Sequence, residues 1–245
     1  MVVSSAAVIW HDLECGAYVA DLPLWSELAM RSAAGGEPAR VLDVGAGTGR
    51  VALHLARAGH RVTALDLDDE LLGALRERAG EHEVETLCAD ARTFDLQGKD
   101  FDLCLIPMQT VQLLGGSAGR IEFVGRARAH LRPGGLLAAA IITAVEPFDR
   151  AHGDPAPSPE LARVNDAIYE TCAVRVSVLE ESVLIERERH IHGDGEPERD
   201  VIELDRVTAR ELEREATGAG LRPERSRELL PTRDHVGSTV VMLRG

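Results

Sequence analysis

The chain has 245 residues, 44% of them hydrophobic, which suits one elaborated domain with a large core better than two independent domains. Its 23 Gly and 11 Pro are ordinary frequencies, so neither a fibrous repeat nor general disorder is favoured. A formal net charge of −14 repels polyanions and argues against a nucleic-acid partner, and no apolar run approaches membrane-spanning length.

The densest basic cluster, Arg120 to Arg132, is interleaved with apolar residues at helical spacing and reads as the solvated face of a helix. Cys15, Cys88, Cys104 and Cys172 are scattered and form no CxxC pair. Free thiols explain them better than disulfides or zinc, with Cys88 and Cys104 buried in strand-like runs. Met1 to Trp10 lacks the basic region of a signal peptide, so the expected location is the cytoplasm.

Residues 11–34 are amphipathic, with Leu22, Leu24, Trp25, Leu28 and Met30 among polar residues, and Pro23 is placed to start a helix. Arg40 to Val44 is a short apolar strand followed by a glycine turn. Val51, Leu53, Leu55 and Ala56 mark the next helix, with Gly59 as its stop. Arg61 to Leu65 is a second strand, and Asp68 caps a helix holding Leu71, Leu72 and Leu75. Val84 to Cys88 and Phe101 to Ile106 are the third and fourth strands. Ser117 is placed to cap a helix running to Leu131. A Pro133-Gly134-Gly135 turn then leads into the fifth strand, Leu136 to Thr143, whose nearly continuous apolar run fits a central position. Strands alternating with helices at this spacing predict a parallel sheet covered on both faces, a doubly wound α/β fold.

The rhythm changes after Thr143. Pro147 to Pro159 reads as a loop, and residues 172–192 and 200–206 alternate as an antiparallel meander added to the sheet, broken by Gly193-Asp194-Gly195. A capping box at Thr208 to Glu211 opens a further helix ending near Gly218 to Gly220, before strands at Leu221 to Leu229 and Thr239 to Leu243. The expected layout is a helical cap (1–38), a binding core (39–143), an insertion that covers the site or forms a homodimer contact (144–206), and a closing helix with strands (207–245).

The most informative stretch is Val41 to Arg50, which reads Asp43-x-Gly45-x-Gly47-x-Gly49. A strand entering a glycine turn and then a helix brings backbone close to a ligand. The dinucleotide fingerprint needs glycine where Arg50 stands, and a P-loop needs a Gly-Lys-Ser/Thr that is absent. The carboxylate of Asp43 would repel a pyrophosphate and suits S-adenosylmethionine, whose sulfonium and ammonium outweigh its single carboxylate. Asp66 ends the second strand where an acid accepts ribose hydroxyls, and Asp90 follows the third, within reach of an adenine amino group.

Residues 40–143 resemble a class I S-adenosylmethionine-dependent methyltransferase. The resemblance rests on the glycine motif, Asp66, Cys88-Ala89-Asp90-Ala91, Phe101-Asp102-Leu103 and Leu131 to Gly135. It implies a seven-stranded, mostly parallel sheet whose last strand, supplied by the tail after Thr208, is antiparallel and inserted beside the fifth. It implies cofactor contacts at Asp43, Gly45, Ala46, Gly47, Gly49, Asp66, Leu67, Asp90, Ala91 and Pro107. Many relatives open with a tyrosine-rich segment closing over the cofactor. Here Tyr18 remains, while His11 and Cys15 stand where aromatic residues are expected.

Methyl transfer from a sulfonium is an in-line displacement with a neutral leaving group, so a catalytic triad is not required. Strand-end loops share one face, which places Met108, Gln109 and Gln112 as substrate-facing candidates. Arg233-Asp234-His235 should lie there too. His235 is the first candidate base, Glu146 the second and His11 the third. No cluster has metal-ligand spacing. The expected function is methylation of nitrogen, oxygen or carbon in a small molecule, with no nucleic acid or membrane partner. A cofactor-binding module that does not methylate is the alternative.

Overall fold

In the computed structural model, the structure describes residues 5–33, 35–98, 100–232 and 235–245. Helix α1 spans Ala6–His11 and runs into a π-helical turn, Asp12–Gly16; α2 spans Leu22–Ser32 with Pro23 in its first turn. The sequence reading anticipated α2 but not the earlier helix. Met30, counted on its apolar face, points outward. The βα repeat follows: β1 (Arg40–Val44), α3 (Arg50–Arg57), β2 (Arg61–Asp66), α4 (Asp69–Ala79), β3 (Val84–Cys88) and β4 (Phe101–Ile106). Asp68 caps α4 as expected, its carboxylate accepting from the Glu70 and Leu71 amides.

Helix α5 (Gly116–His130) starts differently from expectation. Gly115, in the left-handed region at φ 83°, occupies the cap position, and the Ser117 hydroxyl instead donates to Glu215. Strand β5 (Leu131–Ile141) begins before the Pro133-Gly134-Gly135 segment rather than after it. Gly134 sits inside it at φ 76° beside a register shift against β4. The chain continues through β6 (Phe148–Asp149), β7 (Glu160–Val164), β8 (Ala167–Val178), β9 (Ser182–Ile191), β10 (Asp194–Asp205), α6 (Ala209–Gly218), β11 (Arg222–Leu229) and β12 (Ser238–Arg244). The Thr208/Glu211 capping box closes reciprocally.

One seven-stranded sheet has the order β11-β12-β5-β4-β1-β2-β3. Strands β1 to β5 are mutually parallel, and β12 enters antiparallel between β5 and β11. Both faces are covered, so its central strands read as continuous apolar runs. Phe123, Val124 and Ala127 of α5 and Leu212 of α6 pack on one face; Trp25, Leu55, Leu72 and Leu75 from α2, α3 and α4 pack on the other. Cys88 is exposed on the edge strand β3 and not buried, whereas Cys104 is buried on β4; all four cysteines are free thiols.

The meander does not join this sheet. Strands β10-β9-β8-β6, with β7 on β8, make a second, antiparallel sheet. The Pro147–Pro159 segment is also partly ordered, as β6 and a single 3-10 turn at Arg150–His152. A small core of Ile142, Val176, Val183 and Leu204 forms where β5 ends and the second sheet begins. Arg120 is correspondingly buried, not on a solvated face. It binds Glu215 of α6 (2.8 Å) and Asp205 of β10 (3.3 Å). Breaking such a buried network at one partner costs about 3–5 kcal/mol, so it fixes the second sheet against α5 and α6. Among the described residues no helix is long and apolar enough to cross a membrane.

Candidate active site

The carboxyl ends of β1, β2 and β3 open into a cleft of about 1230 Å³, roofed by the second sheet and flanked by the β11–β12 connection. Pockets for one small molecule run about 300–1,000 Å³, so this cleft has room for two side by side.

Its floor is the glycine turn. Gly45, Gly47 and Gly49 all have positive φ (72°, 53° and 94°). A Cβ at Gly45 would lie 2.4 Å from Thr110, and one at Gly47 would lie 2.2 Å from the His11 ring. At Gly49 it would meet Leu75 at 2.7 Å, below the turn. The glycines therefore make room for the protein's own side chains, and of the three Gly45 lines the cleft. The turn amides are likewise satisfied internally. Gly45 and Ala46 donate to the Leu65 carbonyl (2.8 and 3.1 Å), Gly47 to Asp66 (2.7 Å) and Gly49 to the Ala46 carbonyl (2.9 Å). These four amides leave no anion nest of the kind a pyrophosphate needs.

Beneath them lies Asp43, 1% exposed, with neither carboxylate oxygen making a well-formed hydrogen bond and only the Ala52 amide close by. Burial pushes its pKa up to about 7, while the Arg50 guanidinium and the Ala52 amide pull the other way. Arg50 is committed elsewhere. It forks onto Asp21 at 2.5 and 2.8 Å, donates to the Tyr18 carbonyl, and lies over the Tyr18 ring. Asp21 also accepts from Trp25 Nε1 at 2.8 Å. A carboxylate buried beside the cleft and lacking a well-formed hydrogen bond fits a ligand that brings positive charge.

The other two acids stand at neighbouring strand ends. Asp66 accepts from Gly47 and Asp68 amides, which aims its carboxylate while leaving lone pairs for further donors. Asp90 is held by the Arg92 amide and guanidinium (2.8 and 2.6 Å), which lowers its pKa, so an adenine amino group would share it with Arg92. Leu67 is 70% exposed and, with Ala91, offers apolar surface between these acids. Pro107, Met108 and Gln109 line the far side. Met108 adopts φ 54°, a left-handed conformation costing about 1–3 kcal/mol in a non-glycine residue.

Residues 41–135 match a family model described as a methyltransferase domain. Over nearly its whole length the chain is similar to an S-adenosylmethionine-bound amino pentose methyltransferase of calicheamicin biosynthesis from Micromonospora echinaspora. They are 26% identical, with 97% of each chain covered and a TM-score of 0.72. Residues 41–135 therefore carry a methyltransferase domain, on a chain whose fold is that of class I S-adenosylmethionine-dependent methyltransferases. The S-adenosylmethionine-bound neighbour supports the same cofactor here. A sugar N-methyltransferase from Streptoalloteichus sp shares the fold (TM-score 0.74, 16% identity, 100% and 95% covered). Among curated proteins, a cypemycin N-terminal methyltransferase from Streptomyces sp is 36% identical over 46% of this chain and 46% of its own. The chain thus spans about half the length of the curated relatives it matches.

The remaining expected residues of this methyltransferase divide. Tyr18 lines the cleft, 6% exposed, with its hydroxyl buried and without a partner; its ring stacks on His235 at 4.7 Å. His235 and Glu146 also reach the cleft, whereas Arg233 and Asp234 lie outside the described residues. The His11 ring wedges against Gly47 and Thr48, and burial lowers its pKa. Gln112 does not face the cleft. It is 2% exposed, with its amide bonded to Ile142 (N–H and C=O) and to the Asp205 carbonyl, joining three segments of chain. Gly47 and Gly49 shape the turn from behind. His190 at the end of β9 and His192 in the turn after it stack on each other, and neither lines the cleft.

Sequence reasoning offered residues 144–206 as a cover for the site or a dimer contact but named none of the residues that line the roof. Val176, Ile185, Arg187, Ile202 and Leu204 line the cleft from β8, β9 and β10, and Thr110 fills the space beside Gly45. The alternation of Ile185 and Arg187 was visible, but which side of the sheet it faced depended on pairings distant in sequence.

Proposed function

We propose that this methyltransferase transfers a methyl group from S-adenosylmethionine to a small molecule, with nitrogen as the acceptor atom. The observation that carries the reading is Asp43, a buried carboxylate without a well-formed hydrogen bond at the cleft floor, under amides that offer nothing to a phosphate. The N-terminal methylation named for the cypemycin relative supports nitrogen. When bound, S-adenosylmethionine supplies a methyl group on a sulfonium whose thioether leaves neutral.

Asp43 would meet the ammonium of the methionyl end, Asp66 the ribose hydroxyls and Asp90 the adenine amino group, with Leu67 and Ala91 against the base. His11, kept neutral by its burial, adds no positive charge against a cationic donor. Since departure needs no acid, the chief work is alignment, which reaches about 7–11 kcal/mol in favourable cases. His235, steadied by its stack on Tyr18, is the candidate to take a proton from the acceptor, and Glu146 is the second. A base of this kind contributes about 10²–10⁴-fold. The second sheet then serves as the roof over the acceptor.

Calorimetry tests the reading. S-adenosylmethionine and S-adenosylhomocysteine should bind, NADH should not, and Asp66→Ala should weaken both ligands by about 10- to 100-fold. Saturable NADH binding, or no binding of either nucleoside, would remove the reading. Tight nucleoside binding without transfer to any amine would leave a non-methylating module.

A further inference from the structure

The roof of the cleft is apolar along most of its length. Val176 from β8, Ile185 from β9, and Ile202 and Leu204 from β10 face inward. Two residues beyond Ile185, on the same side of β9, stands Arg187. Its Nε–H is buried and has no hydrogen-bond partner.

This sets Arg187 apart from its neighbours. Arg189, two residues on, is fully engaged: it forks onto Glu14 at 2.7 Å through Nε and a terminal nitrogen, and its other terminal nitrogen meets Asp200 at 3.2 Å. Arg175 and Arg199 share Glu186. Of the arginines lining the cleft, Arg50 is held by Asp21 and Arg92 by Asp90. Among the described residues, only Arg187 of these three keeps a buried N–H without an acceptor, although Glu160 lines the same wall. Glu14, the acid below it, is already taken by Arg189 and Thr171.

Buried donors are almost always paired, so a donor left open in a cleft wall marks where a ligand oxygen belongs. In a wall that is otherwise largely apolar, with Glu14 and Glu160 nearby, a guanidinium with an open buried N–H favours a charged, planar or tetrahedral oxyanion over a neutral oxygen, because the fork matches its geometry. Resting on the methyl-transfer reading above, we infer that Arg187 docks an oxyanion of the acceptor, which makes the substrate class an amine with a largely apolar body and a carboxylate or phosphate.

The test uses the full chain saturated with S-adenosylhomocysteine and three probes that differ in one group: 4-aminobenzoate, 4-aminophenyl phosphate and 4-aminobenzamide. Calorimetric titration should show at least one anion binding tenfold or more tighter than the amide. The stronger anion tells carboxylate from phosphate. Arg187→Gln should abolish the preference and Arg187→Lys should keep part of it, while affinity for S-adenosylhomocysteine stays unchanged in both. A purely structural role would not move that ratio. Equal or undetectable binding of all three probes by the wild type overturns the assignment, as does a preference that survives in Arg187→Gln. Failure of the wild type to bind S-adenosylhomocysteine would instead strike at methyl transfer itself, and the assignment would fall with it.

Discussion

The floor of the cleft comes from the ends of β1, β2 and β3, and the roof from the inner face of β8, β9 and β10. In the floor, two of the three acids are aimed by backbone amides: Asp66 is held by Gly47 and Asp68 amides, and Asp90 by Arg92. In the roof, aliphatic side chains dominate; Arg189 is paired across strands with Asp200, while Arg187 keeps a buried N–H open. One wall is a set of interlocked polar contacts that tolerates little change. The other is a surface whose shape can vary without disturbing its neighbour.

Three substitutions would break or sharpen this contrast. Arg50→Ala should have the largest effect. Asp21, 1% exposed, would lose its counter-charge, and removing one partner of a buried pair typically costs about 3–5 kcal/mol. Chemical denaturation measures it, and a loss below about 1 kcal/mol would show that the floor is not held as described.

Asp43→Asn comes next and should act in opposite directions on two readouts. Affinity for S-adenosylmethionine should fall roughly 30- to 100-fold, as for a desolvated charge pair losing one member, while the ligand-free protein becomes more stable. The pH dependence has a definite sign. Burial raises the carboxyl from its ordinary 3.8 to about 7, so the folded, ligand-free chain favours the protonated form. That contribution to stability is complete below 3.8 and is lost as pH climbs to about 7. Binding of the cationic nucleoside runs the other way, strengthening up to about 7 and levelling above it. The Asn variant should flatten both curves; unchanged curves would mean that Asp43 does not meet the cation.

Ile202→Val in the roof should have the smallest effect, about 0.5–1.5 kcal/mol in thermal stability, with no change in S-adenosylhomocysteine affinity. A drop in that affinity comparable to Asp43→Asn would show that the walls are not independent.

The same contrast explains what could be read from the residues alone. Asp43, Asp66 and Asp90 were visible because each ends a strand in a repeating βα pattern, where topology dictates the side they share. The place of β12 beside β5 followed from family resemblance. Gln112 was misplaced because its partners, Ile142 and Asp205, lie 30 and 93 residues away. Arg120 was misjudged for the same reason, since Asp205 and Glu215 are 85 and 95 residues distant. The separate second sheet escaped notice because alternation reveals a strand but not the sheet it joins. Ser117 failed as a cap because glycine at 115 could adopt the left-handed backbone there.

The turn Asp12–Gly16 is fastened to both banks of the cleft. Asp12 is gripped by Arg78 and Thr48 on the donor side, and two residues later Glu14 is gripped by Arg189 and Thr171 on the other. Four side chains thus tie one short turn to both walls of the cleft, and removing any of them would loosen the donor side and the second sheet together.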